Sequence, residues 1–152
     1  INDIFNTMGI TRAIKSSSSV EGMKQTIEVA KEDFNGICFT NLVDFDAKWG
    51  HRRNPEGYAK ELVAFDELLP ELLANLKDDD VLYITADHGN DPTWKGSDHT
   101  REMIPVLIYS KSFKEPKDLG TRESFACIGA TIADEYGVAK PKIGSSLIDE
   151  LK

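Results

Sequence analysis

The sequence predicts an α/β layered domain with a largely parallel sheet flanked by helices. Three observations carry that expectation. Near-continuous apolar runs recur at Ile37–Val43, Val81–Ala86 and Ile104–Tyr109, as in strands buried on both faces. Stretches with helical periodicity alternate with them. Polar loops follow the ends of the first two, where ligands gather in such sheets.

The elements follow in order. Residues 1–18 fit no pattern and run into the flexible Ser16-Ser17-Ser18-Ser19. Ser19 is read as an N-cap, and Val20, Met23, Ile27 and Ala30 recur at helical spacing to about Glu32. Phe34-Asn35-Gly36 breaks the pattern before the first strand, 37–43. Pro55 suits a first helical turn, with Tyr58, Leu62, Phe65 and Leu69 on one face. Pro70 lacks an amide hydrogen, so it kinks this helix or starts a second one, which continues through Leu72, Leu73 and Leu76. Lys77-Asp78-Asp79-Asp80 is a polar turn ahead of the second strand, 81–86. Residues 87–102 form a polar loop, and Pro105 lies at the entry of the third strand, 104–109. After a loop over 110–122, Ser124–Tyr136 reads as a helix with Phe125, Ile128 and Ile132 inward, stopped by Gly137. Ile148–Leu151 reads as a short terminal helix.

A chain of 152 residues suits one domain with a respectable core. The net charge of −8 argues against a general nucleic-acid or anionic-membrane binder, since both require positive surface. Cys38 and Cys127 sit in the apolar runs GICFT and FACIG and read as small buried hydrophobes, as in a reducing cytosol. No signal peptide is visible, and no apolar run approaches the ~18 residues of a membrane span. The opening Ile1-Asn2-Asp3 lacks an initiator Met, so a fragment or processed chain is expected.

The chemistry concentrates in loops. "LVDFDAKWGHRRN", residues 42–54, leaves a strand and gathers Asp44, Asp46, Lys48, His51, Arg52 and Arg53. The chain has three histidines, His51, His88 and His99, and each follows an Asp within a few residues: Asp46, Asp87 and Asp98. Singly each is a surface imidazole. Together, on loops that a sheet would bring to one end, they predict a metal site. Carboxylates mixed with imidazoles suit Mn²⁺ or Zn²⁺, whereas carboxylates alone favour Mg²⁺ or Ca²⁺. Asp46, His51, Asp87, His88 and His99 exceed what one catalytic ion takes from protein, so two ions about 4 Å apart are expected. Arg52 and Arg53 could grip phosphate or stay solvated. Asp44 could orient His51 or merely end a strand. Trp49 reads as a packing anchor.

With "VDFDAKWGHRRN", "ITADHGNDP" and "GSDHTREMIPVLIYS" together, the chain resembles the carboxyl-terminal part of the phosphopentomutase family, in the metal-dependent alkaline phosphatase superfamily. The resemblance runs through essentially all of residues 1–152. It implies a partial alkaline-phosphatase-like core holding two Mn²⁺ ions, one on Asp87 and His88, the other on Asp46, His51 and His99; Zn²⁺ or Mg²⁺ would also suit the ligands. It implies interconversion of ribose 1-phosphate and ribose 5-phosphate, and of the deoxyribose equivalents, through a phosphothreonine, with a sugar bisphosphate activator. The family's threonine nucleophile and a further metal-binding Asp belong to an amino-terminal core segment, ahead of a cap domain. Neither matches here, and Thr85, Thr93 and Thr100 do not fit the nucleophile's motif. The resemblance therefore implies a cytoplasmic isomerase that works on a pentose phosphate together with the remainder of its polypeptide, this piece alone being inactive. Competing readings are another superfamily phosphomutase or phosphatase, such as cofactor-independent phosphoglycerate mutase, a non-catalytic metal-binding module, or a plain interaction domain.

Overall fold

The computed structural model describes residues 4–151, so the opening Ile1-Asn2-Asp3 lies outside the described residues. The chain falls into two compact units: Ile1–Lys77 with His88–Pro105, and Asp78–Asp87 with Val106–Lys152.

The first unit is built on two helices. Helix α1 spans Ser19–Ala30. Its N-cap is Ser18 rather than the expected Ser19: the Ser18 hydroxyl accepts from the Glu21 amide at 3.1 Å. Ser19 is buried instead, its amide donating to the Asp44 carboxylate at 3.0 Å and its hydroxyl accepting from the Asp44 amide at 3.1 Å. Met23 and Ile27, four residues apart on one face, are buried. Helix α2 spans Pro55–Asn75 and packs on α1. Asn54 caps it by accepting from the Gly57 amide at 2.8 Å. The helix continues through Pro70 as one element, with Leu72 buried beyond it. Pro70 lies on the exposed side of the helix.

The expected first strand is not formed. Residues 37–43 belong to no strand among the described residues, and Ile37, Phe39 and Val43 are exposed. Apolar, β-rich composition favours an extended chain, but a strand also needs a ladder partner, and none lies beside it here. Cys38 on this segment is accordingly exposed, while Cys127 is buried as expected. The next residues form a π-helical turn, Phe45–Gly50, extended at its end by the His51 amide donating to the Asp46 carbonyl at 2.9 Å. Such turns recur at functional sites.

The second unit holds strands β1, Leu82–Thr85, and β2, Val106–Tyr109. They pair antiparallel, Leu82 opposite Tyr109 and Thr85 opposite Val106. This corrects the largely parallel sheet. Parallel neighbours need a crossover, usually a helix, and residues 86–105 contain none, so the chain returns antiparallel. Helix α3 covers Ala126–Glu135 and buries Cys127, Ala130, Thr131 and Ala133. The inward stripe is thus shifted from the expected one: Phe125 is exposed, and Ile128 and Ile132 are half-buried. Helix α4, Ile148–Leu151, follows the buried Leu147. No helix among the described residues is long and apolar enough to cross a membrane.

Candidate metal centre

In the first unit the π-turn and the segment 88–102 meet, and all three histidines converge on Asp46. The Nε2 atoms of His51 and His99 stand 3.1 Å apart. His51 Nε2 lies 3.3 Å from Asp46 Oδ2, and His99 Nε2 lies 3.4 Å from Asp46 Oδ1. The ring of His88 stacks on that of His99 with centroids 3.8 Å apart. One donor atom from each of Asp46, His88 and His99 falls within 4.8 Å of the others. His99 is exposed while Asp46 and His88 are half-buried, so the cluster opens to solvent.

Chain chemistry explains the convergence. Gly89 pairs across a β-bridge with Thr100, whose amide donates to the Gly89 carbonyl at 3.0 Å. That bridge folds 89–100 back on itself and sets His88 beside His99. The approach is close enough to demand glycine: a Cβ on Gly89 would lie 2.9 Å from both the Thr100 carbonyl oxygen and the Glu102 nitrogen. The Thr100 hydroxyl accepts from the Asp91 amide at 2.7 Å and donates to the Glu102 carboxylate.

The donor set fits a cation. His51 Nδ1 is hydrogen-bonded to the carbonyl oxygen of Ser97. A carbonyl only accepts, so Nδ1 carries a proton, which leaves Nε2 as the atom that offers a lone pair whenever the ring is neutral. That lone pair faces a second imidazole nitrogen and a carboxylate. Acceptors gathered this closely require a positive charge among them, either a proton or a metal ion. Half-burial pushes the phenol of nearby Tyr58 up, and the charge of Asp46 adds to the shift.

The other residues singled out from sequence are placed differently. Asp87 ends the β1 segment of the second unit and is joined to His88 through the chain. Asp44, a possible orienter of His51, is buried and engaged elsewhere, accepting from the Ser19 amide and from Lys48 Nζ, each at 3.0 Å. It locks the start of α1 to the π-turn. Arg52 is exposed. Arg53 does not reach outward for phosphate: its guanidinium donates to the carbonyls of Gly50, Asp91, Gly96 and Asp98 and to Asn90 Oδ1. Trp49 is the packing anchor expected, its indole donating to Glu61 of α2 at 2.9 Å. Sequence reasoning missed Asn90, whose Nδ2 donates to Asp46 Oδ1 at 2.6 Å. The only signal was its place directly after Asp87-His88-Gly89. Asp91 was missed too; two hydrogen bonds from Thr93 hold its carboxyl below the usual range, with the nearby Arg53 charge adding to the effect.

Residues 2–140 match the family model described as the metalloenzyme superfamily. The chain is 59% identical to the phosphopentomutase of Clostridium beijerinckii over 99% of its own length and 39% of that relative. It is 56% identical to the phosphopentomutase of Agathobacter rectalis and 54% identical to that of Clostridioides difficile, each over 99% of this chain and 39% of the relative. The chain thus spans about two-fifths of the length of the curated relatives it matches.

Proposed function

Because the chain belongs to the metalloenzyme superfamily, we propose that it is the carboxyl-terminal, metal-binding portion of a phosphopentomutase core domain. The intact enzyme interconverts ribose 1-phosphate and ribose 5-phosphate, and the deoxyribose equivalents, through a phosphothreonine. It is a cytoplasmic isomerase primed by a sugar bisphosphate. The observation that carries this reading is the cluster of three imidazoles around Asp46, in a chain alike throughout to enzymes of that name.

In this reading Asp46, His51 and His99 hold one ion, and Asp87 and His88 the other. The mix of oxygen and nitrogen donors favours Mn²⁺ and also accommodates Zn²⁺, with Mg²⁺ a poorer match. Bound there, such ions neutralise the transferring phosphoryl group and help fix the line of attack. The chain's own residues prepare the site. Ser97 holds the proton on His51 Nδ1, so Nε2 would be the atom to hold an ion. The Gly89–Thr100 bridge holds His88 and His99 side by side. Arg52, exposed and positive, is the remaining candidate for contact with phosphate.

The nucleophilic threonine and a further Asp come from the rest of the polypeptide, as does the cap domain. Two of the threonines that do not fit the nucleophile's motif are otherwise engaged: Thr93 Oγ1 donates to Asp91 at 2.7 Å, and Thr100 Oγ1 to Glu102. The exposed apolar side chains of residues 37–43 fit the same reading, as surface for the missing core segment to cover.

The test is to assay the full-length polypeptide with Mn²⁺ on ribose 5-phosphate and on 3-phosphoglycerate. Conversion of the pentose phosphate, abolished by a chelator and by His99→Ala, is expected. Turnover of 3-phosphoglycerate alone would assign the chain to another phosphomutase. Metal binding with no turnover of either would leave a non-catalytic module.

A further inference from the structure

We propose that Arg53 is a positioning residue for Asp46, acting through the side-chain amide of Asn90. The inference rests on the metal reading above and extends it to residues that touch no ion. Asn90 Oδ1 accepts from Arg53 Nη1 at 2.7 Å, and Asn90 Nδ2 donates to Asp46 Oδ1 at 2.6 Å. An asparagine amide can ordinarily sit either way round. Here it cannot. A guanidinium only donates and a carboxylate only accepts, so Arg53 on one side and Asp46 on the other fix the same orientation. Asp46 then keeps its remaining lone pairs for the imidazole-lined side, where His51 and His99 face it.

Arg53 is itself fixed at some cost. Its φ of +51° lies in the left-handed region, uncommon for a residue with a side chain. The conformation ends the π-turn, with the Arg53 amide donating to the Gly50 carbonyl at 3.1 Å. It also sends the guanidinium across to the segment 90–98, where the carbonyls of Asp91, Gly96 and Asp98 and the side chain of Asn90 hold it, while Gly50 accepts from it within the π-turn. Two of those carbonyls, Gly96 and Asp98, flank Ser97, the partner of His51 Nδ1. Arg53 therefore links the π-turn bearing Asp46 and His51 to the segment bearing His99. A lysine could not do this, because one ammonium cannot span several carbonyls in a fork.

The seat for Asn90 is built in as well. Gly50 is buried, and a Cβ there would lie 2.5 Å from Asn90 Nδ2 and 2.6 Å from Asn90 Cγ. The space a side chain at 50 would fill is occupied by the amide. This gives the "WGHRRN" stretch a second purpose: Gly50 makes room for Asn90, His51 presents its imidazole, and Arg53 orients the amide.

The experiment is Mn²⁺ titration of the full-length polypeptide, following free Mn²⁺ by electron paramagnetic resonance, for the wild type, N90L, R53K and the double variant. N90L keeps the branched outline of the side chain and removes both its donor and its acceptor. A loss of about 10- to 100-fold in affinity is expected. Thermal unfolding of the metal-free protein should shift little, which a merely structural role would not allow. R53K should weaken binding in the wild-type background and add little in the N90L background, as for residues acting in series. Wild-type affinity in N90L overturns the proposal, as do R53K and N90L effects that simply add. If N90L does not fold, N90S, smaller and still polar, carries the same expectations. A wild-type polypeptide that takes up no Mn²⁺ overturns the metal reading and this inference with it, whereas strong wild-type binding unmoved by N90L overturns the inference alone.

Discussion

Around Asp46 the chain is organised by hydrogen bonds between loops, and around Leu147 by packing. The metal cluster has few buried side chains: His99 is exposed, and Asp46 and His88 are half-buried. Its geometry comes from carbonyls, an amide and a guanidinium that admit only one pairing. In the second unit Cys127, Ala130 and Leu147 are 2% exposed or less. One hydroxyl completes that core: Thr131 Oγ1 donates to the Cys127 carbonyl at 2.7 Å and accepts from the Leu147 amide at 2.8 Å. The contrast separates two duties. A site that must exchange ligands cannot be sealed, so its precision has to come from directional bonds. A core that never opens can rely on undirected burial.

The largest expected effect tests the packed core of the second unit. Leu147→Ala removes a side chain that is 1% exposed and should cost about 2–5 kcal/mol of stability, read as a lower urea midpoint in the full-length protein. Under native conditions the folded variant should bind Mn²⁺ as the wild type does. An equal loss of metal affinity would show that the two regions are not separable as described.

Next comes the converse change. Gly89→Ala places a Cβ 2.9 Å from the Thr100 carbonyl oxygen and the Glu102 nitrogen, both backbone atoms that cannot move aside cheaply. About 1–3 kcal/mol of stability should be lost. Mn²⁺ affinity should fall as well, because the Gly89–Thr100 bridge sets the spacing of His88 and His99. Stability lost without affinity would mean the bridge supports the loop and not the ligands.

The two regions also differ in how far they could be read from sequence. The helices were legible, because their apolar spacing and caps are local: α1, α2, α3 and α4 fall where periodicity placed them, within a residue or two at most ends. The site's chemistry was legible because imidazoles and carboxylates are named in the sequence, and three rings in one chain invited a common purpose. What organises them was not. Ser97, Gly96 and Asp98 act through backbone carbonyls, which every residue has and no letter marks. Arg53 could be read only by its charge, as a grip for phosphate or a solvated residue, and neither reading foretold its bonds to those carbonyls. The segment 37–43 failed for a related reason. Its composition states a readiness to pair, but the partner of a strand is set by topology, and so is the direction of pairing that made β1 and β2 antiparallel.

The smallest effect probes the second unit through a tyrosine of its sheet. Tyr83 lies on β1, and partial burial pushes its phenol up, with the charges of Glu135 and Cys127 adding to the shift. A group whose folded pKa exceeds its unfolded value stabilises the fold fully below the unfolded value, about 10 for tyrosine. That contribution is lost as pH rises through the folded value, because the folded state then resists a deprotonation that the unfolded chain accepts. Stability should therefore decline on the alkaline side above about pH 10. Tyr83→Phe should remove Tyr83's part of the decline while leaving the part from Tyr58, whose phenol is also raised, by burial and by Asp46. Urea midpoints of the two proteins across that range give the comparison, and phenolate absorbance shows which tyrosine titrates late. Identical alkaline profiles would mean that Tyr83 is as well solvated as it is in the unfolded chain, and that burial in the second unit stops short of its sheet.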